Sequence, residues 1–263
     1  MCDEGNGSRN IKLIIAYDGT EFCGWQRQGK ETQSFSSKRI RTVQGEMEQA
    51  LEKLHKHPVK LTGSGRTDSG VHAAGQCANF FTDIKSMDAP CFVPALNSLL
   101  SKDIRIIEAR ETLDDFHARF DAKSRTYRYY IKPAETLPWE RRYCLPLRRR
   151  PALNRLNEMA ALLHGETDCS VFAAAGDKSK SRSRYIYNAA FFTEADKIVF
   201  EISANAFLWM MVRSILGTIL RCEKKGLGAP EFKEILDSRE RRRAGPTTPP
   251  NGLFLWTINY YRG

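Results

Sequence analysis

Residues 11–17 read IKLIIAY, a short apolar run closed by Asp18 and Gly19. A run of that length and composition, with turn residues behind it, predicts a buried strand. Working outward, a long polar stretch follows, and then Val43, Met47, Ala50, Leu51 and Leu54 recur at helical spacing, with Thr42 placed as N-cap and Pro58 beyond the end. Strands are expected at 59–62 and 76–81. A helix entered through Asp88 and Pro90 should run to about Leu100, and IRIIEA should follow as a strand. This half is mixed α and β.

The second half repeats the theme. TYRYYI at 126–131 reads as a strand, Leu153, Leu156, Ala160 and Leu163 share one helix face, and strands are expected near 184–192 and 196–204. A helix is expected from about Ala206, because FLWMMVRSILGTIL is apolar around most of its circumference and so belongs in a core. A shorter helix near 230–236 and a last strand, LFLWTIN, complete the series. The element order predicts a polar tail at 1–9 and two related α+β domains with antiparallel sheets, 10–115 and 116–263. No repeat is visible in the residues themselves.

Lys plus Arg number 41 against 31 Asp plus Glu, a net charge of +10. Such an excess points to a polyanionic partner. Nucleic acid explains it better than a membrane surface, which usually recruits one concentrated basic amphipathic segment. The basic runs instead punctuate many connections: Lys38 to Arg41, Arg141 and Arg142, Arg148 to Arg150, KSKSRSR at 178–184, and Arg241 to Arg243. Any one of them reads as a solvated loop; several together can supply the phosphate contacts that hold a folded RNA. The seven cysteines are scattered, odd in number and never C-x-x-C, as expected of reduced thiols in a cytoplasmic protein. His55 and His57 have no thiol or acid at ligand spacing, so no metal site is expected. MCDEGNGSRN has no apolar core of an export signal, and no stretch approaches the roughly 18 apolar residues of a membrane span.

The most unusual stretch is GSGRTDSGVHAAGQ, residues 63–76, with four glycines, an Arg-Thr-Asp triplet and a histidine. Asp beside Gly is ordinary turn chemistry. A phosphate-cradling loop is a second reading, although neither G-x-x-x-x-G-K-[ST] nor G-x-G-x-x-G is present. The third is a reactive carboxylate, Asp68, on a Gly-flanked loop with Arg66 two residues away.

GRTDSGVHAAGQ closely resembles the signature of the tRNA pseudouridine synthase A family. GWQRQ at 24–28, TVQ at 42–44, DDFHARFDAKSRTYRYY at 114–130, ANAF with MVR at 204–213 and GLFLW at 252–256 also resemble family motifs, in family order. The resemblance implies two ferredoxin-like domains with antiparallel sheets meeting at a central basic active-site cleft. It implies a homodimer that isomerises uridines at positions 38 to 40 of the tRNA anticodon stem-loop, with no cofactor and no metal. By the same resemblance Asp68 is the nucleophile, Tyr127 stacks on the target base, Arg213 pairs with the aspartate, Arg66 helps expel the target nucleotide, and Leu253 lines the base pocket. His72 and His117 lie inside motifs, but the chemistry calls for no histidine; packing and RNA contact are both open to them.

Two departures stand out. GKETQSFSSKRIR at 29–41 is longer and more basic than the family's usual connection, which suits either an added RNA contact or a disordered insertion. Trp209 and Met210 stand where many relatives carry an arginine and another polar residue. The rival readings are a non-catalytic RNA-binding module, which an intact Asp68, Tyr127 and Arg213 argue against, and a pseudouridine synthase of altered specificity.

Overall fold

The computed structural model describes residues 7–27 and 40–260. Alternation in the opening run decides how the first strand sits. In β1 (Arg9–Tyr17) Ile11, Leu13, Ile15 and Tyr17 are buried, while Lys12, Ile14 and Ala16 point to the less buried face. Helix α1 (Val43–His55) begins where Thr42 accepts the Gly45 N–H on its side chain, and Lys56 ends it in the left-handed conformation. Val43, Met47, Ala50 and Leu51 form its buried stripe. Then come β2 (Thr62–Gly63), β3 (His72–Thr82), α2 (Phe92–Leu99), entered through a 3₁₀ turn at Ala89–Cys91, and β4 (Ile104–Thr112). The strand expected at 59–62 shrinks to Thr62 and Gly63. That expected at 76–81 starts earlier, at His72, because pairing with β1 continues through a bulge as far as Tyr17 opposite Ala73.

β3 and β4 both pair antiparallel to β1, and β2 pairs antiparallel to β3. The order across the sheet is therefore β4-β1-β3-β2 from a βαββαβ chain.

The second compact unit spans Lys123–Asn259. It contains β5 (Ser124–Pro133), β6 (Leu145–Leu147), α3 (Leu153–Ala161), β7 (Gly165–Asp168), β8 (Ser183–Glu194), β9 (Lys197–Ala204), α4 (Met211–Lys224), α5 (Ala229–Ser238) and β10 (Leu253–Asn259). β5 pairs antiparallel with β10 and β9, β9 with β8, and β8 with β7. With the short β6 and β7 and the added helix α5 set aside, β5-α3-β8-β9-α4-β10 repeats the βαββαβ order, and its sheet runs β10-β5-β9-β8. The two halves thus share a strand order that their residues do not reveal.

The chain divides at Ala122 and Lys123, later than the boundary at 115/116 expected from the sequence, and Tyr260 returns to the first unit. Side chains explain the shift. Asn10 Nδ2 donates to the carbonyls of Leu113 and Phe116 at 2.9 Å, Ala118 N donates to Asn79 Oδ1 at 2.9 Å, and the Tyr260 hydroxyl donates to Ala118 O at 2.7 Å. These bonds fasten the DDFHAR segment to β1 and β3.

Helix α4 departs more from expectation. It begins at Met211, five residues after Ala206, with Met210 left-handed at φ 60°. The backbone before it is committed elsewhere: Asn205 Oδ1 accepts the N–H of both Tyr185 and Ala206, and Trp209 N donates to Asp177 Oδ2 at 2.6 Å. From Met211 on, the expected burial holds, with Ile215, Leu216, Ile219 and Cys222 fully enclosed.

Candidate active site

The first unit carries the Asp68 loop, residues 64–71, which joins β2 to β3. Its backbone is held from three sides. Trp25 N donates to Thr67 O at 3.1 Å, Gly70 N to Phe22 O at 3.2 Å, and Val71 N to Asp68 O at 3.2 Å. The Tyr17 and Thr67 hydroxyls lie 2.8 Å apart, which ties the buried Thr67 to the end of β1. At the root of the loop, Gln76 accepts from Ser64 Oγ at 2.9 Å and donates to Gly65 O at 2.9 Å. Asp68 itself is half-buried. Gly24 is required here: its φ is +87°, and a Cβ would stand 2.5 Å from Thr67 O.

Arg66, exposed beside Asp68, donates from Nε to Gln26 Oε1 at 3.2 Å. Gln26 donates to Gln44 Oε1 at 2.8 Å, and Gln44 Nε2 donates to Glu48 Oε1 and Leu61 O, both at 3.1 Å. Three stretches far apart in sequence, 24–27, 42–44 and 65–70, thus meet in one hydrogen-bonded group. No spacing argument reveals this, because a glutamine at the start of a helix ordinarily faces solvent.

The two motif histidines take backbone roles. His72 is fully buried, with Nδ1 at 3.1 Å from both Gly19 N and Asp18 Oδ1. His117 Nδ1 accepts the Arg119 N–H at 3.1 Å inside a turn closed by Asp121. Of the basic 29–41 connection, residues up to 39 lie outside the described residues. Arg41 is engaged within the first unit, with Nη1 at 3.0 Å from Asp103 Oδ2 and its guanidinium 4.4 Å above the Phe22 ring.

The second unit carries Tyr127, Arg213 and Leu253. Tyr127 and Tyr129 project from one face of β5, and β10 sets Leu255 opposite Tyr127 and the buried Leu253 opposite Tyr129. The Tyr127 ring meets Phe207 edge-on at 5.0 Å, which joins the TYRYY and ANAF motifs. Arg213, in the first turn of α4, donates from Nε to Thr248 O at 2.7 Å, and its own carbonyl accepts the Thr248 N–H at 3.2 Å. The Tyr129 hydroxyl donates to Pro249 O at 2.7 Å. Burial pushes the Tyr129 phenol up to about 12, so that it stays protonated, although Thr248 and the Arg213 charge act the other way. Strand β5, through Tyr129, and the helix bearing Arg213 are therefore pinned to the same loop, 244–249.

Asp177 matters most at the start of α4 and has no signal in the sequence beyond its place before a basic run. Its side chain is 4% exposed; Oδ2 accepts from Trp209 N at 2.6 Å, while Oδ1 accepts from Ser179 N at 2.8 Å and faces Arg182 Nη1 at 2.9 Å. Burial opposes ionisation, but those N–H groups and the Arg182 charge outweigh it and hold the carboxyl below its ordinary value. A depressed folded pKa contributes stability above the unfolded value, about 3.9, and loses it as pH falls through the folded value. The melting-temperature gap between wild type and Asp177→Ala should be full at pH 7 and narrow below about pH 4. A gap constant down to pH 3 would mean that the charge contributes nothing.

Among the described residues no cluster of three or more His, Cys, Asp or Glu is placed to hold a metal ion. Nor is any helix among them long and apolar enough to cross a membrane.

With this geometry in view, comparison with known proteins is decisive at the level of family. The family model described as tRNA pseudouridine synthase matches residues 13–121 and 159–261. The chain is 58% identical to tRNA pseudouridine synthase A of Treponema denticola over 253 residues, covering 96% of this chain and 93% of the relative. It is 51% identical to that of Treponema pallidum (strain Nichols), covering 92% and 85%, and 38% identical to that of an Exiguobacterium species, covering 96% and 98%. The chain belongs to the tRNA pseudouridine synthase family, whose members are isomerases.

Proposed function

We propose that this chain converts uridine to pseudouridine at positions 38 to 40 of the tRNA anticodon stem-loop, with Asp68 as its nucleophile. The observation that carries the reading is the convergence of GWQRQ, TVQ and GRTDSG on one loop, which fixes the backbone of Asp68 and anchors Arg66 beside it. The reaction breaks the bond from N1 to C1′, turns the base and joins C5 to C1′. The C5 proton is lost and N1 gains one, so substrate and product are isomers and no redox partner or energy source is needed.

An ionised carboxylate can open this sequence by adding to the uracil ring, by attacking C1′, or by assisting departure of the base. Arg213 is the cation proposed to keep it charged and oriented. Tyr127 offers the ring on which the extruded base stacks, and Leu253 an apolar wall beside it. Arg66 is proposed to take part in expelling the nucleotide. Arg66→Ala should raise the KM for unmodified tRNA about tenfold while leaving Asp68 chemically competent, since a phosphate or base contact of one arginine contributes about 1–2 kcal/mol.

Further parts of the reading rest on the same family resemblance. Each unit is proposed to be a ferredoxin-like domain, which the shared antiparallel order β4-β1-β3-β2 and β10-β5-β9-β8 supports. The enzyme is proposed to act as a homodimer, in the cytoplasm, without metal or cofactor. The free thiols of all six described cysteines fit that compartment.

The test is release of tritium from C5 of uridine in an unmodified tRNA transcript, joined to mapping of pseudouridine in the product. Release with new pseudouridine confined to the anticodon arm is the expected result. Tight binding without release on several tRNAs would put a non-catalytic RNA-binding module in its place.

A further inference from the structure

Trp209 is held in a costly position. Its indole is 47% exposed, in a stretch whose neighbours Leu208 and Met211 are buried. The next residue, Met210, is left-handed at φ 60°, a conformation in which a residue with a Cβ is strained. Exposed apolar area and backbone strain side by side persist only where the surroundings over-determine them. Those surroundings are visible. Trp209 N donates to Asp177 Oδ2 at 2.6 Å, Trp209 O accepts from Ala174 N at 3.1 Å, and the indole Cζ3 lies 3.9 Å from where a Cβ on Gly176 would be.

The loop that makes these contacts also carries positive charge. Lys178 and Lys180 are exposed on it, and the Asp177 carboxylate that holds Trp209 also binds Ser179 N and Arg182, so it fixes the basic stretch and the indole together. At the loop's far end Tyr185 and Tyr187 are nearly half exposed, with ring centroids 5.1 Å apart, and Tyr185 N and O are bonded to Asn205, four residues before Trp209. An exposed aromatic face flanked by lysines is the chemistry that takes an unpaired base and its neighbouring phosphates.

We propose that Trp209 is a stacking platform for an unpaired nucleotide of the RNA substrate, with Lys178 and Lys180 on the flanking phosphates. Asp177 is its positioning residue. The inference rests on the tRNA reading above and adds to it a contact outside the Asp68, Tyr127 and Arg213 set.

Steady-state tritium release from an unmodified tRNA transcript tests it, with thermal melting as the folding control. Trp209→Ala should raise KM roughly tenfold or more, since stacking contributes about 1–3 kcal/mol per base. The loss should fall on KM rather than kcat, and Trp209→Phe should recover most of it. The salt dependence of KM should be unchanged in Trp209→Ala, but shallower by roughly 1.5–2 units of log–log slope when Lys178 and Lys180 are both alanine. Asp177→Ala should raise KM in the wild-type background and add less in the Trp209→Ala background, where only its hold on the basic stretch is left to lose; a general loss of structure would cost the same in both. A wild-type KM in Trp209→Ala, or Phe performing no better than Ala, would overturn the platform. Absence of release by the wild-type enzyme would instead overturn the tRNA reading on which it stands.

Discussion

Asp68→Asn is expected to melt within about a degree of wild type, to bind unmodified tRNA, and to release no tritium from C5. The loss should be on the order of 10⁴-fold or more, the scale at which removal of a nucleophile registers in other enzymes. Asparagine keeps the shape and one oxygen acceptor, and it changes none of the backbone bonds that fix the loop, from Trp25 to Thr67, Gly70 to Phe22 and Val71 to Asp68. What it removes is the negative charge and the nucleophilic oxygen. Every route by which a carboxylate can open the reaction, through the ring or through C1′, needs both. A folded Asp68→Asn variant that releases tritium at the wild-type rate would remove Asp68 from the chemistry, whatever its place in the motif.

The same loop shows where sequence reading is strong and where it stops. Composition and spacing around Asp68 allow a turn, an anion cradle or a reactive carboxylate. Only the order of six motifs favours the last, because a loop of glycines and small polar residues has no periodicity to read. Its support is non-local: Gln26 takes the Arg66 N–H across 40 residues and itself donates to Gln44 across 18, and no spacing or periodicity marks either glutamine as part of a site. Elements with their own local signal were legible. LFLWTIN is a strand from end to end, and Thr42 caps α1 through its hydroxyl. The start of α4 was not legible, because FLWMM suits a helix as well as it suits an extended entry. The choice is made by Asp177, 32 residues earlier, which takes the Trp209 N–H. Likewise β6 and β7 have three and four residues, too few for any alternation to show.

Gly217→Ala should be among the most damaging substitutions outside the catalytic groups. Glycine in the middle of a helix costs about 1 kcal/mol against alanine, so its presence in α4 calls for a compensating contact. That contact is backbone to backbone. A Cβ on Gly217 would sit 1.7 Å from Pro246 O, and one on Gly245 would sit 2.5 Å from Gly217 O. Alanine at 217 must therefore push the 244–249 loop away from the helix by more than an ångström. Several bonds depend on the present spacing: Gly245 N to Thr218 Oγ1 at 2.8 Å, Arg213 Nε to Thr248 O at 2.7 Å, and the Tyr129 hydroxyl to Pro249 O at 2.7 Å. Overpacking together with the loss of two or three such bonds should cost about 4 kcal/mol, against which the helix gains about 1 kcal/mol. A net loss of about 3 kcal/mol corresponds to roughly 6–12 °C in melting temperature for a chain of this size. Because the displaced loop is also the one that holds the Arg213 guanidinium, kcat should fall even at temperatures where the variant remains folded. Arg213→Lys separates the two effects: it should lower kcat with little change in melting temperature, since lysine leaves the close approach at Gly217 intact. Equal or higher stability of Gly217→Ala would mean that helix and loop part easily, and that Arg213 owes its position to something other than this contact.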